Sequence, residues 1–269
     1  MISINTNYGS LFATKSAGAA QKTMNTAMER LSSGLRINNA KDDAAGQGIA
    51  TRLSAEIMGL EMASRNASDA QSMMDTAEAA YQEVHSMLIR MREIAVQAAN
   101  GTLSTADRTA LNAEVTALET EITSIADNTA FAGVNLGTST AVTFQTGTGN
   151  GDTISHTFKD FDNAAISVDV GVNTATNAGA AVSTLDAAIS LISTRRGELG
   201  ALSNRLSSTI ANLDNISVNL SSARGRIQDT DFATETSNLA KSQIMQQAAT
   251  AMLAQANASK GSILTLIQS

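Results

Sequence analysis

The sequence predicts a mainly α protein. It reads as a long antiparallel helical rod, coiled-coil-like, with paired N- and C-terminal helices and a small β-hairpin region in a central insertion. Three observations point there. Proline is absent from all 269 residues, against about 5% in average proteins, and helix interiors exclude it because it removes a hydrogen bond and clashes with the preceding turn. Stepping alternately by three and four from Leu60 reaches Ala63, Ala67, Ala70, Met74, Ala77, Tyr81, Val84, Leu88, Met91, Ala95 and Ala98, all apolar or small. That spacing averages about 3.5 residues, the period of a helix that winds a seam against a partner. Leu185, Ile192, Leu199, Leu206, Leu213 and Leu220 repeat the pattern seven apart.

Residues 8–34 are Ala- and Met-rich, with Leu11, Met24, Met28 and Leu31 as the larger apolar groups. This helix is weakly amphipathic and depends on packing partners. Gly34 suits the left-handed position that ends a helix. A polar connector through Asp42 and Asp43 follows, and the rod helix is expected to begin between Ile49 and Ile57. From there to Asn100 it would be roughly 65 Å long, too long for one compact core, so it needs partner helices along its length. Beyond Asn100-Gly101, Ser104 and Asp107 have the spacing of a capping box. Leu111, Val115, Leu118, Ile122 and Ile125 carry an antiparallel return helix to about Asn128.

Seven of the eighteen Gly fall between Phe131 and Gly179, where the character turns to strand and loop. Val142/Phe144, Ile154/His156/Phe158 and Ile166/Val168/Val170 alternate with polar residues, predicting short strands in an outlying insertion. Gly147–Asp152 reads as the turn between two of them. In the third long helix Gly197 and Gly200 are expected to admit a close neighbouring backbone. Arg224-Gly225-Arg226 with Asp229 and Asp231 reads as a second polar hinge, before a last helix from Phe232 to about Ala258 that leads into Ile263–Ile267. On this end Leu239, Ile244, Met252, Leu253 and Leu264 are the larger apolar groups available for association. The layout is mirror-like: weak helix, hinge, rod, insertion, rod, hinge, weak helix. The two ends share a composition, which predicts that they pair and are completed by other copies.

Composition excludes several functions. Without Cys there is no disulfide or thiolate chemistry. A net charge of −7 without a basic block argues against a nucleic-acid partner. No run of about 18 apolar residues would span a membrane. The N-terminus lacks a basic segment followed by an apolar one, so any export proceeds without a conventional cleaved signal. The two histidines, His85 and His156, stand apart without the His-Glu-x-x-His spacing of a metallopeptidase. Asp42 with Asp43 and Asp229 with Asp231 lack a calcium-type loop and are expected to cap and pair. No cofactor, metal site or enzyme activity is expected. On the heptads alone, a coiled-coil cell-surface protein remains a possible class.

The motifs narrow this. Leu31–Asn38 (LSSGLRIN), Ala40–Gly46 (AKDDAAG), Arg65–Asp69 (RNASD), Arg92–Gly101 (REIAVQAANG), Asn238–Ile244 (NLAKSQI) and Ala251–Asn257 (AMLAQAN) resemble bacterial flagellin, in the same order. The resemblance covers about residues 1–135 and 180–269. It implies an extracellular filament subunit for swimming motility, secreted by flagellar type III export. It implies an inner, lumen-side helix pair from 1–43 and 234–269, a rod domain from 44–130 and 180–233, and a short outer insertion at 131–179. Implied partners are other copies of the chain, an export chaperone at the C-terminal region, and the filament cap and hook–filament junction proteins. A junction protein, which shares the paired-end plan, is the alternative. Gly34, Asp42, Asp43, Gly225, Asp229 and Asp231 fall in its hinge regions, with Gly225 standing where the family commonly has Ser. Arg90, Arg92 and Glu93, with Ile94 and Glu114, resemble the patch recognised by the animal flagellin-sensing Toll-like receptor. The same charged helix face would meet an adjacent subunit in the filament.

Overall fold

The computed structural model describes residues 6–268, the side chains of 263–268 excepted. Its elements in order are α1 (Tyr8–Ser33), α2 (Ala44–Ala99), α3 (Thr105–Asn128), β1 (Ala130–Phe131), β2 (Val134–Asn135), β3 (Ala141–Gln145), β4 (Thr153–Thr157), α4 (Ala175–Gln228) and α5 (Phe232–Gln268). Two compact units result, Met1–Ala55 with Asn219–Ser269 and Glu56–Val218, and both α2 and α4 contribute to each.

The second unit is an antiparallel helical bundle. All twelve seam positions from Leu60 to Ala98 are buried. Polar pairs along the seam report its direction: Ser64 with Asp214, Gln71 with Ser207, Glu78 with Arg196 and Arg92 with Asp186, so α4 numbers fall as α2 numbers rise. Leu185, Ile192, Leu199, Leu206 and Leu213 are buried on the α4 side, while Leu220 is half-buried. The capping box forms as expected, with the Ser104 side chain accepting from the Asp107 amide and the Asp107 carboxylate from the Ser104 amide. Arg108 donates to the carbonyls of Ala98 and Asn100 at 2.9 Å each, tying the α2–α3 turn shut.

Several expectations are corrected. α2 starts at Ala44 rather than between Ile49 and Ile57, because the Asp43 carboxylate accepts from the Gly46 amide at 2.9 Å and supplies the missing cap. α4 continues over Arg224-Gly225-Arg226, so the break before α5 is confined to Asp229–Asp231. α5 continues past Ala258 to Gln268. Gly197 and Gly200 have no atom within 4 Å of where a Cβ would sit, so no backbone approaches them. Both are exposed in a helix interior. Replacing either with Ala should therefore stabilise the isolated chain by about 0.8–1 kcal/mol, read as a higher urea midpoint; an unchanged or lower midpoint would contradict it.

β3 and β4 pair antiparallel, with Phe144 opposite Ile154 and Val142 opposite His156, and 147–152 turns between them. Burial pushes the His156 imidazole pKa down. β1 and β2 form a minimal hairpin around Ala132 and Gly133, both at positive φ. Its continuation passes so close to α3 that a Cβ on Gly137 would overlap the Ala126 carbonyl oxygen. The predicted third strand over Ile166–Val170 does not form, and the segment is not outlying. Phe158, Phe161, Ile166, Val168 and Val172 are core residues of the bundle. The Val170 amide donates to the Glu119 carboxylate at 2.9 Å and the Val172 amide to Asn112 Oδ1 at 2.8 Å. These side chains of α3 satisfy amides that a strand would have paired with another strand. Tyr81 completes the anchorage, its hydroxyl donating to the Lys159 carbonyl at 2.7 Å and its ring lying 4.7 Å from that of Phe161. Burial pushes the Tyr81 phenol and the Glu119 carboxyl pKa values up.

Candidate functional site

In the first unit α1 and α5 lie against each other, antiparallel. Asn7 Nδ2 donates to the Ala256 carbonyl at 3.2 Å, Gln246 donates to Gln21, and Arg30 lies 3.7 Å from Glu235. The buried positions recur every seven residues: Ala13, Ala20 and Ala27 on α1, and Glu235, Ser242 and Ala249 on α5. These side chains are small or polar. At Gly9 a Cβ would come within 3.3 Å of Ala256 Cβ, the closeness that small residues permit.

The large apolar side chains are on the other face. Tyr8, Leu11 and Phe12 of α1 are 72%, 60% and 67% exposed, and Phe232, Ile244 and Met252 of α5 are 55%, 66% and 58% exposed. Met28 and Met245 are exposed too. An ordinary two-helix pair hides its large apolar groups at the seam; here the fully buried seam is Ala, Ser and Glu, while Leu11, Phe12, Ile244 and Met252 are exposed and Met24, Leu31, Leu239 and Leu253 only half-buried. Large apolar side chains left exposed in this number on one helix pair mark an interaction site. Of the residues singled out on the last helix, Ile244 and Met252 are exposed and Leu239 and Leu253 half-buried, while the Leu264 side chain lies outside the described residues. Tyr8, Phe12, Phe232 and Met245 were not singled out. An Ala heptad at 13, 20 and 27, flanked by large residues off the seam, was the available signal.

The connector beside this pair is held by short-range bonds. Gly34 ends α1 at φ 73° with its amide on the Arg30 carbonyl. Leu35 bridges Asp229, Arg36 N donates to Gln228 O at 2.6 Å, and Thr230 N donates to Gly34 O at 3.0 Å. The two hinge regions are thus stitched to each other, with Ile37 buried nearby. The Asp42 carboxylate accepts from the Asn39 and Asn38 amides, which hold its pKa below the usual range. Asp231 caps α5 through the Thr234 hydroxyl and the Thr234 and Ala233 amides, and its pKa is lowered for that reason. Gly225 is a helix residue. A Cβ there would lie 2.7 Å from Asp229 Oδ2, so glycine leaves room for that side chain rather than freeing the backbone.

These lowered values set a pH dependence. A carboxyl whose folded pKa lies below its unfolded value of about 3.9 contributes stability above that pH and loses it as pH falls through the folded value. Protonation of Asp42 and Asp231 should therefore loosen the connector and the start of α5 below about pH 4. The double variant Asp42→Asn, Asp231→Asn should flatten the acid limb of a helicity-versus-pH curve; an unaltered limb would contradict the assignment.

On the second unit, Arg90 binds Glu114 through two nitrogens at 2.8 and 3.1 Å and Glu93 at 3.1 Å, and Arg92 binds Asp186. Arg90, Glu93, Glu114 and Asp186 are exposed and Arg92 is half-buried. Ile94 is not part of this surface. It is 1% exposed, in the core between the helices. No helix among the described residues is long and apolar enough to cross a membrane.

Comparison with known proteins agrees with this architecture. The family described as bacterial flagellin N-terminal helical region matches residues 4–140, and the corresponding C-terminal helical region matches 182–267. A flagellin of Halalkalibacterium halodurans is 42% identical over 98% of this chain and 99% of its own length. The crystal structure of Bacillus cereus flagellin superposes with a TM-score of 0.51 at 31% identity, covering 55% of this chain and 88% of that one. A Vibrio parahaemolyticus protein described as flagellar hook-associated reaches a TM-score of 0.60 at 16% identity, over 70% of this chain and all of its own, a likeness of fold alone. The chain therefore belongs to the bacterial flagellin family, structural subunits of the extracellular flagellar filament and not enzymes.

Proposed function

We propose that the outward face of α1 and α5 is the surface through which copies of this chain polymerise, as the inner, lumen-side part of a motility filament. The observation that carries this reading is the inverted pair, with alanines inside and Leu11, Phe12, Ile244 and Met252 outside. Each such side chain gains roughly 1.5–3 kcal/mol when fully covered, so neighbouring subunits supply what the isolated pair lacks. The subunit leaves the cell by type III export, its C-terminal region held by a chaperone until it is buried in the tube, and the filament ends on cap and junction proteins. The absence of Cys suits passage through a narrow channel unfolded, since no disulfide has to be broken.

Electron microscopy of purified protein with short filament seeds tests this. Tubes are expected from the full chain, and none from a chain lacking Phe232–Ser269 that keeps its helical bundle. Filaments from that truncation would refute the reading. Full-length protein that stays monomeric with seeds present would favour a junction role, for which the fold likeness to the hook-associated protein is the motive.

A second use of the charged patch is as a ligand of the flagellin-sensing Toll-like receptor. Its support is the bonded set Arg90, Glu93 and Glu114, with neighbouring Arg92 paired to Asp186, without Ile94. Monomer should activate a receptor reporter and the variant Arg90→Ala should respond at least several-fold less; silence of the native monomer at high dose would sink the idea.

A further inference from the structure

The chain has eleven Met and no Cys, so all of its sulfur is thioether. Six of these methionines define two contrasting environments. Met73, Met74 and Met91 lie in the bundle core, 4%, 1% and 0% exposed. Met28, Met245 and Met252 of the terminal pair are 46%, 51% and 58% exposed. Met245 also lines a groove of about 350 Å³ between α1 and α5, with Ala19, Ala20 and Ser242. Methionine is a soft, adaptable group for irregular interfaces, and its sulfur is also the group that oxidants convert to a polar sulfoxide.

We propose that Met28, Met245 and Met252 form an oxidation site that controls assembly: peroxide converts them to sulfoxides in the free subunit and thereby blocks its addition to a filament. This rests on the reading that a neighbouring copy covers their face. In the reaction the thioether sulfur attacks one peroxide oxygen. An S–O bond forms as the O–O bond breaks, sulfur is oxidised by two electrons, and the departing hydroxide takes a proton to leave as water. The product carries a strong S–O dipole where the interface needs an apolar group, and a desolvated polar group without a hydrogen-bond partner opposes burial. Within a filament the same three sulfurs are covered and shielded. Free subunits outside a growing filament are therefore the vulnerable species, and the finished polymer is not.

The test combines peptide mass spectrometry with seeded growth. Free subunit treated with hydrogen peroxide should carry sulfoxide at Met28, Met245 and Met252 but not at Met73, Met74 or Met91, and its seeded growth rate should fall at least tenfold. Met58 and Met62 of the second unit, also exposed, should oxidise as well, so the deciding variant is Met28→Leu, Met245→Leu, Met252→Leu. Leucine keeps the apolarity and helix propensity, so peroxide should leave the growth of this variant within about twofold of the same variant untreated, whatever its basal rate. Equal inhibition of that variant would overturn the proposal by assigning the loss to Met58, Met62 or another group. Peroxide treatment of preformed filaments gives a second reading that needs no variant. Slower oxidation of the three methionines than in free subunit supports the proposal, and equal rates overturn it. Untreated native subunit that fails to extend seeds would overturn the filament reading itself, and this proposal with it.

Discussion

The double variant Leu11→Asp, Ile244→Asp should lose filament growth while its monomer is unchanged. Both side chains are mostly exposed in the single chain, at 60% and 66%, so the substitutions remove little that holds the monomer together. Far-UV circular dichroism of the free subunit should therefore match the native trace. In a filament each residue would forfeit about 1.5–3 kcal/mol of apolar burial, before counting the cost of covering a carboxylate. Two per subunit amount to roughly 3–6 kcal/mol, which raises the subunit concentration needed for growth by about two to four orders of magnitude. Sedimentation of seeded samples across a concentration series reads this directly. Filaments at the native concentration would mean that the outward face is not the assembly surface.

The largest effect on the bundle should come from Phe161→Ala. Phe161 is fully buried and packs its ring against Tyr81, whose hydroxyl fastens the neighbouring Lys159 carbonyl. Large-to-small changes at such aromatic sites cost about 3–5 kcal/mol, because the surroundings close only part of the cavity. A urea melt of the helical signal should show that loss. It should come with faster proteolysis of the 158–174 segment, since Phe158, Val168 and Val172 share the same core. A change below about 0.5 kcal/mol, the range of an ordinary surface substitution, would mean that this segment lies on the bundle without stabilising it.

Legibility differed by element for physical reasons. The α2 seam could be read because a helix covered along its length must repeat small and apolar groups at one period, and all twelve positions are indeed buried. The capping box at Ser104 and the left-handed Gly34 are local devices, settled by a few adjacent residues. The stretch Ile166–Val170 misled because alternation records only which side chains are buried. Whether its amides pair with a strand or with Glu119 and Asn112 depends on groups about fifty residues away. Gly197 and Gly200 misled for the related reason that a helix glycine is compatible with a close neighbour and with open solvent alike. Ile94 follows Arg92 and Glu93 in the chain, yet the 3.6-residue turn carries it round to the core.

The terminal helix pair divides in the same way. Composition and the mirrored layout were enough to indicate that the two ends pair. The flagellin motifs, each a run of neighbouring residues, were enough to indicate the family. Which face of the pair is outward was settled only by the packed structure. An Ala-, Met- and Gln-rich helix is weakly amphipathic on every face, and its partner selects the seam by how closely two backbones can approach. The tertiary structure put Ala13, Ala20 and Ala27 against Glu235, Ser242 and Ala249, leaving Leu11, Phe12, Ile244 and Met252 on the outside. Helix periods and caps are properties of a few consecutive residues, whereas the choice of seam is a property of two segments more than two hundred residues apart.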